Sequence, residues 1–344
     1  MNALAVYNGT LYAGGTFSPN LKSWNGSSWT SVSGLSAGLI NVLAVHHNRL
    51  VVGGAFATSG GLPTSGLSDF DGANWTTFNS NVYIYNPGGT SMYLLKSING
   101  TLYAGGILSL IISVPYAGIL SWDGANWGDA TSGAGMAMQC TYAMTANGGT
   151  YSVAAGGLKG VVQSSGSSWS QVGNGLGNAS LTDGASSVFA LEWFHGKLFA
   201  GGTFTNSGPS NIVCMACWNG SAWSPAGGGV SGSQPYVFCS AIYNNQLIIG
   251  GQFTHADGKV IANIAKFVDA TAVISSPSMS TNGQFSFSAS GPVGSSVAVE
   301  TSADIKLNAW TGLQTNIMGV NPFVFSDPQS VAKTIRFYRL RVLP

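Results

Sequence analysis

Two glutamates, Glu192 and Glu300, are all that this chain carries. They fall in separate stretches of it, so the paired Glu residues of glycoside hydrolysis are not available. Nine aspartates remain, several of them spent in Asp-Gly turns. Four histidines, His46, His47, His195 and His255, sit at unrelated places in the pattern described below, and nothing local gathers them into a metal or acid–base cluster. Cys214-x-x-Cys217 opens like a zinc site, but no second Cys or His pair follows at ligand spacing. On a strand, moreover, residues three apart face opposite sides. Cys140 and Cys239 stand early in two repeats and read as small core residues. If one disulfide forms, it joins Cys239 to Cys214 or Cys217. Asp69-Phe70-Asp71-Gly72-Ala73-Asn74 begins like a calcium loop but lacks the later bidentate Glu. The strings at Asn8, Asn25, Asn99 and Asn219 match glycosylation sequons, which a hairpin turn followed by a hydroxyl residue also generates. The expectation is therefore no catalytic residue, no cofactor and no metal, and a chain that is not an enzyme.

The elements that must position any site are set by a recurring stretch. Leu11-Tyr12-Ala13-Gly14-Gly15-Thr16-Phe17 returns as Leu50 to Phe56, Leu102 to Ile107, a worn Tyr151 to Gly157, Leu198 to Phe204 and Leu247 to Phe253. The first glycines fall at 14, 53, 105, 156, 201 and 250. Repeats of this length belong to stacked or circular arrays, where one unit cannot bury its apolar face alone. Within a unit, Ala3 to Tyr7, the turn Asn8-Gly9 and Thr10 to Phe17 predict a hairpin, because a type I′ turn needs positive φ at both positions. A second hairpin runs through Trp24-Asn25-Gly26-Ser27-Ser28-Trp29, echoed at Phe70–Trp75, Trp122–Trp127, Trp218–Trp223 and, reduced, at Ser164–Trp169. Two hairpins give a four-stranded antiparallel sheet per unit. The Trp pairs recur in nearly every unit, which fits packing between units better than sugar stacking.

The Gly-Gly after an apolar strand, followed by an aromatic and then Trp, resembles the kelch and galactose-oxidase-like β-propellers. That likeness covers roughly residues 2–272 and implies an all-β fold with a six-bladed β-propeller in residues 1–272. No Tyr/His/Cys motif matching copper ligands accompanies it. The sixth unit lacks its closing Trp, and its outer strand is either degenerate, near Thr271 to Ser275, or supplied from elsewhere. From about Ser275 the text changes to short alternating runs. Gln284-Phe285-Ser286-Phe287, Val299-Glu300-Thr301 and Arg336-Phe337-Tyr338-Arg339-Leu340 resemble the C-terminal Ig-like modules that end secreted bacterial repeat proteins. This implies a small β-sandwich at 273–344, with Trp310, Phe285, Phe287 and Phe337 in or near its core, a cleavable junction near Ser275 to Ser280, and a structural or attachment role outside the cell.

Only 7% of residues are charged and the formal charge is +1, which argues against nucleic acid, since phosphate neutralisation needs clustered cations. It also removes the self-repulsion that keeps proteins apart. No secretory signal is read at Met1-Asn2, and the composition favours numbering that begins inside a longer or processed precursor. Where other units carry a polar loop after Gly-Gly, the third reads Ile107 to Tyr116. Its Leu108, Leu110, Ile111, Ile112, Val114 and Tyr116 form the candidate self-association loop. Tyr103 to Leu120 holds 18 uncharged residues, but Gly105, Gly106 and Pro115 argue against a membrane span. The sequence thus points to an extracellular or cell-surface structural protein that associates with copies of itself, as filament or surface-layer subunit. The alternative is a secreted binding module for a glycan or protein ligand.

Overall fold

In the computed structural model the chain is all-β. Apart from two three-residue 3-10 turns, Ile305–Leu307 and Ser330–Ala332, every regular element among the described residues is a strand. The residues described are all but 65, 79–81, 84–91, 111–113, 132–139, 157–159, 166–167, 178–187, 245, 268–271, 292–295, 308, 320, 333–334 and 343–344; for 82–83, 107–110, 114–118, 140, 155, 156, 307 and 332 the backbone alone is described. The strands form many small antiparallel sheets, and the chain divides into two compact units, Met1–Lys266 and Phe267–Pro344.

Turn chemistry builds the sheets of the first unit as the sequence predicts. Asn8 and Gly9 take φ of 47° and 74°, Asn99 and Gly100 51° and 80°, and His195 and Gly196 make the same turn at 47° and 74°. In the second hairpins a side-chain oxygen caps the turn: Asp71 Oδ1 accepts from the amides of Ala73 and Asn74 at 2.9 and 2.7 Å. Asn219 Oδ1 does so with Ser221 and Ala222, both at 3.0 Å. Asp69 in turn accepts from Arg49 Nε at 2.7 Å. Both aspartates of the calcium-like string are thus engaged in turn and sheet.

The first sheet runs Ala3–Tyr7, Thr10–Gly14, Leu21–Trp24, Trp29–Ser31 in chain order. The second, third, fourth and fifth start at Leu39–His46, Met92–Ile98, Cys140–Asn147 and Val188–Phe194 and repeat that order, with Val82–Tyr83 added to the third. The sixth has three strands, Tyr236–Tyr243, Gln246–Gln252 and Ile264–Phe267. The expected outer strand near Thr271 to Ser275 is not part of it, because Val273–Met279 pairs instead with Phe285–Ser290 of the second unit. The worn repeat is also corrected. Val42 pairs with Gly53 in the second sheet, and Ala143 pairs with Ala154 in the fourth, so Ala154-Ala155 rather than Gly156-Gly157 occupies the position of the glycine pair.

Neighbouring sheets pack face to face, and each of the four joints from the first sheet to the fifth has its own apolar cluster. Leu21 meets Ile40, Leu50 and Val52; Leu67 meets Met92, Leu102 and Ala104; Ile119 meets Met144, Val153 and Val162; Val161 meets Val188, Leu191 and Leu198. Each such fully buried side chain contributes about 1.5–3 kcal/mol relative to exposure.

The second unit holds two three-stranded sheets, one of Val273–Met279, Phe285–Ser290 and Phe323–Asp327, the other of Thr311–Ile317, Ser296–Ser302 and Phe337–Val342. Phe287, Ala289 and Phe325 of the first share a core with Val299, Tyr338 and Leu340 of the second. Phe285 packs at its margin, as expected. Phe337 is a correction: it stands 38% exposed while the next residue, Tyr338, turns inward. Trp310 is half-buried, with the Arg339 guanidinium 4.3 Å from its ring centre. Ser275 to Ser280 is no linker either, since most of it is strand paired to Ser286 and Ser288.

Glu300 lies buried between Arg339 Nε at 2.6 Å and Arg341 Nε at 2.8 Å. Burial alone pushes its carboxyl up, but the two guanidinium hydrogen bonds outweigh that and hold it below the usual range. A lowered folded-state value means stability that is complete above the unfolded value of about 4.3 and is lost as pH falls through the lower folded one. The thermal midpoint of this unit is expected to drop in that acid window. Glu300→Gln should flatten the drop; an unchanged acid profile in that variant would assign it to other carboxylates.

Candidate functional site

The first strands of all six sheets converge on one cavity of about 330 Å³. In five of them a β-bulge interrupts the ladder, between Ile40 and Val42, Met92 and Leu94, Thr141 and Ala143, Val188 and Ala190, and Val237 and Cys239. A bulge bends its strand and re-aims one side chain. The residues so displaced are Asn41, Tyr93, Tyr142, Phe189 and Phe238, and all five line the cavity, with Asn2 at the matching place in the first sheet. Four of the six are aromatic and run as a row. Ring centres lie 5.3 Å apart from Tyr93 to Tyr142, 5.2 Å from Tyr142 to Phe189 and 5.7 Å from Phe189 to Phe238. The other two are amides, Asn2 Nδ2 donating to Asn41 Oδ1 at 3.4 Å and to the Ile40 carbonyl at 3.0 Å. Asn41 Nδ2 is shut from solvent and has no hydrogen-bond partner.

Three residues further along these strands, Lys96 and Glu192 also line the cavity and pair at 3.4 Å. Burial raises the Glu192 carboxyl above its ordinary value, and the Lys96 charge acts against that rise. The pair leaves the cavity without a free charge of either sign from these two groups. What the arrangement offers is aromatic faces, amides and a neutral interior.

Sequence reading missed this site, although a signal was there. Asn2, Asn41, Tyr93, Tyr142, Phe189 and Phe238 each stand twelve residues ahead of the first small residue of the pair, at Gly14, Gly53, Gly105, Ala154, Gly201 and Gly250. The residues singled out for self-association fall elsewhere. Leu108 and Leu110 lie on Thr101–Leu110, Val114 and Tyr116 on Val114–Trp122, and Leu110 pairs with Val114. The expected loop is thus an extension of the hairpin, further paired to Val82–Tyr83. Ile111 and Ile112 lie outside the described residues. No helix of the described residues is long and apolar enough to cross a membrane.

The end sheets differ from the inner ones at matching positions. Ile40, Met92, Val188 and Val237 are at most 2% exposed, whereas their counterpart Met1 is 69% exposed. Leu21, Leu67, Ile119, Val161 and Met215 are at most 6% exposed, whereas Ile264 of the sixth sheet is 60% exposed. The outer Trp follows suit. Trp75 and Trp223 donate from Nε1 to the carbonyls of Ser33 and Val172 at the end of the preceding sheet, both at 2.9 Å. Trp29 of the first sheet is 41% exposed. The Trp pairs serve packing between sheets, as the sequence suggests.

The expected disulfide is corrected as well. Cys239 forms no disulfide with either Cys214 or Cys217. Cys214 Sγ donates to the Pro235 carbonyl at 2.8 Å, and burial pushes its pKa up to about 11. Among the described residues no three His, Cys, Asp or Glu side chains come together as a metal group would require.

No protein-family model and no curated protein matches the sequence. Among solved structures, the chain is similar to the computationally designed Ika8 protein, with a TM-score of 0.42, 12% identity and coverage of 99% of this chain and 96% of that one. It is also similar to an exo-beta-1,3-galactanase from Phanerochaete chrysosporium with beta-1,3-galactotriose, at a TM-score of 0.27 and 10% identity, covering 96% and 92%. The galactanase corrects one expectation. With an enzyme among the structural neighbours, the sequence-based exclusion of catalysis does not stand. At that TM-score the likeness gives this chain no activity either.

Proposed function

We propose that residues 1–272 form a six-bladed β-propeller and 273–344 a β-sandwich, and that the chain is an extracellular or cell-surface structural protein. It acts by associating with copies of itself, as a subunit of a filament or surface layer. The observation that carries this reading is the apolar side chains left exposed on the first and sixth sheets. Met1, Leu4 and Trp29 on the first sheet, and Ile264 on the sixth, remain between 41% and 69% exposed. Apolar surface of this kind marks contacts, and a formal charge of +1 over 344 residues offers little repulsion to oppose them. The hairpin bearing Leu108, Leu110, Val114 and Tyr116 is proposed as a second contact. The low-charge, hydroxyl-rich surface suits a location outside the cell.

Light scattering and negative-stain microscopy of the full chain test the proposal. Multimers or filaments are expected, and they should shrink in mass when Leu4→Asp and Ile264→Asp are combined. Leu110→Asp probes the hairpin in the same assay. A chain that stays monomeric at high micromolar concentration would end this reading.

A further inference from the structure

We infer that the cavity lined by the six first strands is a binding site for an uncharged saccharide, stacked on the aromatic row and held at a hydroxyl by the exposed amide of Asn2. The inference stands apart from self-association and does not need it.

The positions are built rather than incidental. Five separate bulges turn one residue each towards the same space, and four of those residues are rings spaced 5.2–5.7 Å from one another. Ligand sites combine such apolar faces with a few fixed polar groups that set orientation, and bulges gather next to functional sites. The ligand's chemistry follows from what the cavity satisfies. A hydrocarbon would use the rings but would cover the exposed Asn2 amide, which also lines the cavity, and take its carbonyl oxygen out of water with nothing to bond. An anion would find the Lys96 ammonium engaged with Glu192, and a cation would find that carboxylate engaged in turn. A sugar ring presents an apolar C–H face to an aromatic plane and a rim of hydroxyls, one of which can donate to the Asn2 carbonyl oxygen. It needs no charge.

An array of immobilised neutral, sialylated and sulfated oligosaccharides, followed by isothermal titration with the strongest neutral hit, tests the site on the full chain. Retention of neutral glycans is expected, without preference for the anionic ones. Phe238→Ala is the principal variant because Phe238 is 48% exposed, so its truncation opens no closed void. It should weaken binding about tenfold with the thermal midpoint unchanged. Phe189→Ala, nearer the middle of the row, should weaken it further. Absence of any neutral hit, a preference for anionic glycans, or titration unaffected by both variants while they remain folded would overturn the site. A monomeric preparation that binds a neutral glycan through these rings would uphold it while removing the self-association reading.

Discussion

Gly54→Ala is expected to lower the thermal midpoint of the first unit by roughly 10 °C, although it adds one methyl group. A Cβ at Gly54 would run into the Leu39 carbonyl oxygen and come within 2.9 Å of Ile40 Cα. Both are main-chain atoms of the strand it pairs with, beside the bulge at Asn41, and main chain cannot rotate away. The ladder must open there or the bulge must shift. Overpacking of this kind costs about 3 kcal/mol at the upper end of the usual range, which for a unit of this size is the stated fall. Gly53→Ala is the instructive neighbour. Its Cβ would press on the Met92 thioether and lie 2.7 Å from Val42 Cγ2 and 3.0 Å from Leu95 Cδ1. Those are side chains, and Met adapts, so about half the effect is expected. Gly128→Ala, where the added methyl meets nothing within 4 Å, should leave the midpoint within a degree or two. Differential scanning calorimetry of the three variants gives the order. Equal midpoints for Gly54→Ala and Gly128→Ala would mean that the glycine pair is not a steric requirement of the joint.

The glycine pair was legible because the requirement is local and repeated. One position faces the paired strand, the other the next sheet, and neither has room for a side chain. Asn8-Gly9 and Asn99-Gly100 were legible for the same reason: two residues decide the turn. The fourth repeat misled where Gly156-Gly157 follows Ala154-Ala155 in the sequence. Pairing register, which places Ala154 opposite Ala143, depends on a distant strand and cannot be read from the string alone. Phe337 failed by one residue. In a strand that step reverses the face, so Tyr338 went inward with Phe287 and Phe325 while Phe337 stayed out. The cavity was hidden differently. Asn41, Tyr93, Tyr142, Phe189 and Phe238 stand inside apolar strands and look like core, and only the bulge makes each of them line the cavity. Nor could the exposure of Met1, Leu4 and Ile264 be read from residue type, because they are as apolar as the counterparts that neighbouring sheets cover.

Phe287→Ala is expected to remove the second unit's thermal transition from its present position altogether, moving it down by roughly 15 °C or more, and to leave the first unit's transition in place. Phe287 is 1% exposed and sits at the centre of the aromatic cluster, 5.2 Å from the Phe325 ring and 5.8 Å from that of Tyr338. Those contacts join its two sheets, so the void would open between them rather than at an edge where the chain could settle. Truncating a buried Phe costs about 3–5 kcal/mol, a large share of the total stability of a domain spanning Phe267–Pro344, and in so small a domain each kcal/mol moves the midpoint by about 4–8 °C. Phe337→Ala supplies the contrast. That ring is 38% exposed and lies on the other face of its strand, so its loss should cost under about 1 kcal/mol. Among the described residues the first unit has its own apolar clusters, built from residues between Tyr7 and Trp223. Two calorimetric transitions, one displaced and one fixed, are therefore the expected trace. A single transition that moves as a whole would show the two units unfolding as one cooperative body, and equal shifts for Phe287→Ala and Phe337→Ala would place the core of the second unit on the other face of its closing strand.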